Sequence, residues 1–248
     1  MNFLHRKPTG ISQLSMAASF HTKDDGQITQ IMYMAISPDR QLSDANSQAG
    51  RKWSAALDLV QSCAGLIKLY WGRRLEEPEK IQLHLVWTNR QHSDVFLASA
   101  FASFQAYIND LIDNTTAVEI RHTALHHQAL DDPFSPSLLG FPIGTAIYKG
   151  TSPAWHEGAW PLWTHVVRHV EGCRGIAGGS VEEAVEGWSN SYVVYVAWKS
   201  VKHHDDYHHT EHFQRHRVIL GIGNEGWTEY GHVVFADVRY GRKAGSKL

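Results

Sequence analysis

The stretch Val194–Phe213, VYVAWKSVKHHDDYHHTEHF, decides how this chain is read. An apolar alternating run ends on Trp198, a polar turn follows, and then comes a histidine-dense segment with helical spacing. A strand that feeds directly into a helix sets the junction residues at one end of a sheet, where pockets are commonly built. The same arrangement occurs earlier, in Leu83–Phe104, LHLVWTNRQHSDVFLASAFASF. Trp87 is followed by His92 as Trp198 is by His203, and Phe96 and Tyr207 fall one helical turn further on. Two copies of one unit are expected.

Working outward, Ile28–Ile36 predicts a first strand and Ser43-Asp44 a helix cap. The helix runs to about Ala64, with Trp53, Leu57, Val60 and Ala64 on one face. Leu66–Leu75 and Lys80–Trp87 predict strands two and three, the latter with Ile81, Leu83, Leu85 and Trp87 on one side. A second helix from His92 to about Ile112 and a strand at Ala117–Leu125 complete β-α-β-β-α-β, the ferredoxin-like unit. A second pass predicts a strand at Gly144–Tyr148, a helix at His156–Glu171, a glycine-rich turn at Gly172–Gly179 and a strand at Tyr192–Trp198. It ends with a helix from His203 to about Gly221 and a strand at Thr228–Val238. The expected organisation is a flexible lead-in over 1–27, a first repeat over 28–130, a connector over 131–143, a second repeat over 144–238 and a tail over 239–248.

The repeat has a register. Trp53, Val60, Cys63 and Gly65 recur as Trp163, Val170, Cys173 and Gly175, each shifted by 110, as is His122 to His232. Trp87/Trp198 and His92/His203 are shifted by 111. A four-stranded sheet with helices on one face leaves the other face apolar, so it must pair with a second sheet. The expectation is an α+β fold in which both halves pack sheet to sheet within one chain.

Composition excludes several functions. Of 248 residues 43% are hydrophobic and 19% charged, with a formal net charge of −2, which is no footprint for nucleic acid. Two cysteines make no disulfide framework, and no apolar run reaches the length of a membrane span. The segment MNFLHRKPTG lacks a secretory h-region, so a cytoplasmic protein with no membrane partner is expected. Nine tryptophans fit either an aromatic-lined pocket or strand-end packing.

Two stretches carry a family resemblance. VEGCRG at Val170–Gly175 resembles the helix-end signature of antibiotic biosynthesis monooxygenase domains, members of the dimeric α+β barrel superfamily. WKSVKHHDDYHHTEHF resembles that family's W-x-S stretch ending in His-Phe, with Trp198, Ser200, Thr210, His212 and Phe213 in matching places. The first copy keeps Trp87 and Ser99 but has Phe101 where the histidine would fall. The resemblance implies a cofactor-independent enzyme that cyclises, decarboxylates or oxygenates a small apolar polyketide- or terpenoid-like substrate. It equally admits a non-catalytic stress-response or ligand-binding barrel, or a haem or metal protein using the histidine-rich helix. The duplicated chain is expected to be its own pseudo-dimer, with a homodimer also open.

Imidazole titrates near neutrality, which makes His232, His212, His203, His122 and His92 the acid–base candidates, with His84 beside them. Trp71, Trp87, Trp160, Trp163, Tyr195 and Trp198 are the candidates for lining a substrate pocket, and each also reads as core. His204, His208 and His212 share a helix face, but the third lies too far along the axis to join the first two on one ion. No metal site is therefore assigned. Because Phe101 cannot exchange a proton, the working pocket is expected in the second repeat.

Overall fold

The computed structural model describes residues 26–112, 117–127 and 132–242. The expected lead-in thus falls almost wholly outside the described residues. The first repeat runs β1 (Ile28–Ala35), α1 (Gln48–Gln61), β2 (Leu66–Arg74), β3 (Lys80–Trp87), α2 (Arg90–Ser99), α3 (Phe101–Ile108) and β4 (Glu119–Thr123). A short strand, β5 (His126–His127), precedes the second repeat. That repeat runs β6 (Pro142–Tyr148), α4 (Pro153–Pro161), β7 (Cys173–Val181), β8 (Ser191–Trp198), α5 (Val201–His208), α6 (Glu211–His216), α7 (Val218–Gly221) and β9 (Trp227–Tyr240).

The strands are antiparallel in the order β4-β1-β3-β2-β9-β6-β8-β7, and β4 meets β7 through Thr123 and Val181. The sheet therefore closes into a barrel. Its two halves are joined at the β2–β9 and β4–β7 seams, and no helix among the described residues is long and apolar enough to cross a membrane. Burial follows the alternation. In β3, Ile81, Leu83, Leu85 and Trp87 pack under the first repeat's helices, while Val86 faces the barrel interior. The same division in the second repeat sets Val194, Val196 and Trp198 under the helices and Val193, Tyr195 and Ala197 inside.

Three sequence expectations are corrected. Gly172–Gly179 is not a turn, because all but its first residue belongs to β7. Glycine serves there as a slot: a Cβ on Gly178 would lie 2.6 Å from Trp160, and one on Gly179 2.4 Å from the Ala124 carbonyl oxygen. The single helix expected over His156–Glu171 starts three residues earlier and is distorted after Pro161, which has no N–H to give the helix. A π-turn at Leu162–Val166 and a 3-10 turn at Val167–His169 follow. The helix expected from His203 to Gly221 is broken into α5, α6 and α7, with Thr210 capping α6 by accepting from the Phe213 N–H.

The repeat register is corrected too. Trp53 and Trp163 both lie in the helical segment between the first two strands of their repeats. However, the counterpart of Gly65 is Gly172, not Gly175. Each has positive φ (79° and 88°) and accepts through its carbonyl from the residue after the β3 or β8 tryptophan. Cys63 follows α1 whereas Cys173 opens β7, so the cysteines are not equivalent.

The connector contributes to the core. Phe134 enters the barrel and stacks on Tyr70 with ring centroids 4.8 Å apart, meeting Tyr195 at 5.2 Å and Phe235 at 5.6 Å. One side chain thus ties β2, β8 and β9. Phe134→Ala is expected to destabilise the protein by about 3–5 kcal/mol, read from the urea midpoint; a change under about 1 kcal/mol would remove this role.

Candidate active site

The second repeat holds a cavity of about 890 Å³ between its sheet and its helices. Its walls are mostly apolar, from Ala146, Tyr148, Leu162, Trp163, Val194 and Val196, and its roof comes from α5 to α7 through Tyr207, Phe213 and Leu220. The break after Pro161 brings Leu162, Trp163 and Val167 to that wall. In the first repeat the matching layer is packed with Met32, Phe96, Phe104, Ile108 and Leu111.

A polar chain enters the cavity floor. Ser200 caps α5, which sets His204 one turn in, buried and stacked on Trp198 at 4.8 Å. His204 Nδ1 lies 2.7 Å from Nε2 of His232, whose Nδ1 lies 2.6 Å from Glu76 Oε1. Glu76 Oε2 also accepts from the His232 backbone N–H at 2.8 Å. Glu76 belongs to the β2–β3 turn, so the first repeat completes this array across the seam. Burial raises the Glu76 carboxyl, but the hydrogen bonds from His232 outweigh it and hold the group below its ordinary value. Burial, with His208 and His232 nearby, pushes His204 down to about 3.

A counterpart lies in the first repeat. Glu183 grips His122 through its N–H and Nδ1, both at 2.6 Å. Ser93 replaces His204, with Oγ 2.8 Å from His122 Nε2, and donates to Gln30 Oε1 at 2.7 Å. Gln30 also accepts from Trp87 Nε1 at 3.1 Å. Gln30 pairs opposite His122 in the sheet, as Gly144 pairs opposite His232, so Gly144 stands where Gln30 would be. A Cβ on Gly144 would lie 3.0 Å from His204 and 3.5 Å from Trp198 Nε1. Trp198 Nε1 is buried without a partner among the described residues, as is the Tyr207 hydroxyl.

Of the residues singled out from sequence, Trp163 and Trp198 line the cavity and His232 reaches it through His204. The others lie elsewhere. His122 is sealed in the first repeat with Ser93 and Glu183. His92 and His203 fill equivalent places, packed on Gly65 and Gly172 and bonded to cap side chains Asn89 and Ser200. His212 is exposed against His216, so the family-like position is not among the cavity histidines His204, His208 and His209; Phe213 beside it is a cavity residue. Trp71 packs on Trp53, Trp87 on Phe96, and Trp160 over Gly178 and Tyr192. Tyr195 and His84 face each other inside the barrel at 5.4 Å. Among the described residues, the group spaced to hold a metal ion is His122, Glu182 and Glu183, where Arg90 already pairs with Glu182 and lies 4.0 Å from Glu183. Sequence reasoning missed Glu76 and Gly144, and weighed His204 only as a metal ligand. The usable signal was position: His204 sits four residues after its cap, as Ser93 does after Asn89.

No protein-family model matches the sequence, and no curated protein resembles it significantly. Solved structures do resemble it. An anthrone oxidase-like protein superposes with a TM-score of 0.65 at 12% identity, over 91% of this chain and 98% of the other. A protein of Fusobacterium nucleatum subsp. nucleatum ATCC 25586, provisionally described as a monooxygenase, gives 0.58 at 11% identity over 91% and 100%. Chlorite dismutase from Candidatus Nitrospira defluvii, in complex with imidazole, gives 0.53 at 10% over 86% and 92%. The chain has the dimeric α+β barrel fold. In this barrel both halves come from one polypeptide.

His204 and His84 both have folded pKa values of about 3, below the ordinary 6.5. The unfolded chain therefore binds more protons in that window. The penalty from these two histidines is absent above pH 6.5 and grows as pH drops toward 3, by roughly 1 kcal/mol per pH unit for each. His204→Asn is expected to reduce the slope by one such step, read from urea midpoints at several pH values. An unchanged slope would contradict the burial of a neutral His204.

Proposed function

We propose that the protein is an oxygenase-like enzyme that works without a cofactor on an apolar, aromatic polyketide-like substrate in the second repeat's cavity. The observation that carries this reading is a neutral, buried histidine on the floor of a large apolar cavity, bonded from behind to His232 and through it to Glu76. His204 is the general base. Its Nδ1 is engaged by His232, and its Nε2 has no partner among the described residues. A methylene flanked by aryl rings and activated by a conjugated carbonyl is unusually acidic for a C–H group, as a base whose protonation burial disfavours requires. The carbanion left on carbon is oxidised by dioxygen, so that a methylene and a dioxygen molecule give a ketone carbonyl and a water molecule.

Two further features support the substrate class. The unpartnered Trp198 indole N–H suits an oxygen acceptor on the ligand, and leaving such a donor unmet costs about 1–3 kcal/mol. Gly144, which stands where the first repeat has Gln30, lines the cavity floor and leaves the His204 ring its place against Trp198. Fold neighbours described as anthrone oxidase-like and as a monooxygenase are consistent with oxygenation.

Anthrone is the first substrate to offer, with oxygen uptake and anthraquinone formation as readouts. His204→Ala is expected to lower kcat by about 10²–10⁴-fold, and Gly144→Gln to abolish activity by pushing His204 off Trp198. Activity should survive chelation. A Soret band that co-purifies with activity would replace this reading with haem chemistry, and binding without oxygen uptake would make the cavity a ligand carrier.

A further inference from the structure

The two seams are clamped alike, yet the clamps lead to different ends. Behind each strand histidine a glutamate takes both the backbone N–H and Nδ1, Glu76 for His232 and Glu183 for His122. An ionised carboxylate only accepts, so Nδ1 of each histidine carries a proton, and Nε2 of a neutral ring is left as an acceptor. For His122, Nε2 faces Ser93 Oγ, whose one proton goes to Gln30 within packed protein. For His232, Nε2 meets Nδ1 of His204, which must then donate, leaving His204 Nε2 as the bare nitrogen. Glu76 does not line the cavity, and its side chain is 45% exposed while that of His232 is 6% exposed.

Resting on the acid–base reading above, we infer that the substrate proton does not stay on His204 but is relayed to His232, with Glu76 as the positioning residue that sets the relay's direction. The substrate's proton binds His204 Nε2 as the C–H electron pair remains on carbon. The Nδ1 proton of His204 moves to Nε2 of His232. His204 ends neutral, and the positive charge rests on His232 against Glu76, outside the apolar cavity. The carbanion and dioxygen then give a peroxide anion. The proton returns from His232 to His204 Nδ1 while His204 Nε2–H passes to the peroxide, and the hydroperoxide loses water to leave the ketone. Both rings regain their starting tautomers without turning over.

The first repeat supplies the control. If Glu76 only staples a seam, then Glu76→Gln and Glu183→Gln should act alike. The amide introduced by Glu76→Gln can accept from one of the two His232 donors but not both, so the relay predicts a loss of about 10²-fold in kcat with KM unchanged. Glu183→Gln should stay within about twofold of wild type. Equal losses in the two variants, or full activity in Glu76→Gln, would overturn the relay. Imidazole ¹⁵N shifts test it independently of turnover. Wild type should show Nδ1–H at both His204 and His232, and Glu76→Gln should move both to the other tautomer, with Glu183→Gln leaving them. Unchanged shifts in Glu76→Gln would also overturn it. Should Glu76→Gln not fold, Glu76→Asp keeps the charge at shorter reach and is expected to lose activity where Glu183→Asp does not; equal behaviour would count against the relay. Absence of oxygen uptake by the wild type would sink the oxygenase reading alone, and the tautomers would then decide the relay.

Discussion

Each half of this molecule is a sheet that is apolar on both sides, and only one side can be covered by its own helices. In β3 every residue after Lys80 is buried, with Leu83, Leu85 and Trp87 under helices and Val86 turned toward the other half. A sheet like that must be closed over by a second one. The closure runs through two seams, and at both a glutamate from one half reaches the closing strand of the other. The site follows from that requirement. His232 belongs to the second repeat, but its tautomer is set by Glu76 of the first, so neither repeat alone contains the array.

From the same frame the two halves diverge by small changes at matched positions. Gln30 against Gly144 and Ser93 against His204 alter what lies beside the β3 or β8 tryptophan. In the first repeat Gln30 satisfies both Trp87 and Ser93, and phenylalanines fill the space beyond. In the second, removing that side chain frees the Trp198 N–H and admits an imidazole stacked on the indole. The indole donor that Gln30 meets in one copy is left available in the other.

Much of the frame is legible in the sequence because periodicity and repetition report packing directly. β3 and β8 alternate cleanly, and the shift of about 110 residues links His122 to His232 and Trp87 to Trp198. The misreadings have local physical causes. β7 reads as a turn because its glycines answer to Trp160, Tyr192 and Ala124, partners distant in sequence. The loop between β7 and β8 is longer than that between β2 and β3, so the offset relating Gly65 to Gly172 differs from the one relating Trp87 to Trp198. That same change of offset conceals Glu76 and Glu183, which look like ordinary turn acids until the seams bring them to the histidines. Within the histidine cluster the resemblance favours His212, whereas the break at Thr210 turns that residue outward and leaves His204 as the buried member.

Fusion of the two halves is what permits this division of labour. In an assembly of identical chains, a glycine opposite the closing-strand histidine would open both halves at once. It would also leave two buried indole donors unmet, at about 1–3 kcal/mol each. The roof over the present cavity is already lightly anchored, since α6 and α7 bury no residue fully. A barrel with two such roofs would have little packed core outside its interior. Here the first repeat keeps Trp53, Trp87, Phe96 and Phe104 fully buried, and Phe134 fills the shared interior. The packed half offsets the open one, and through Glu76 it also holds the histidine on which the open half's chemistry depends.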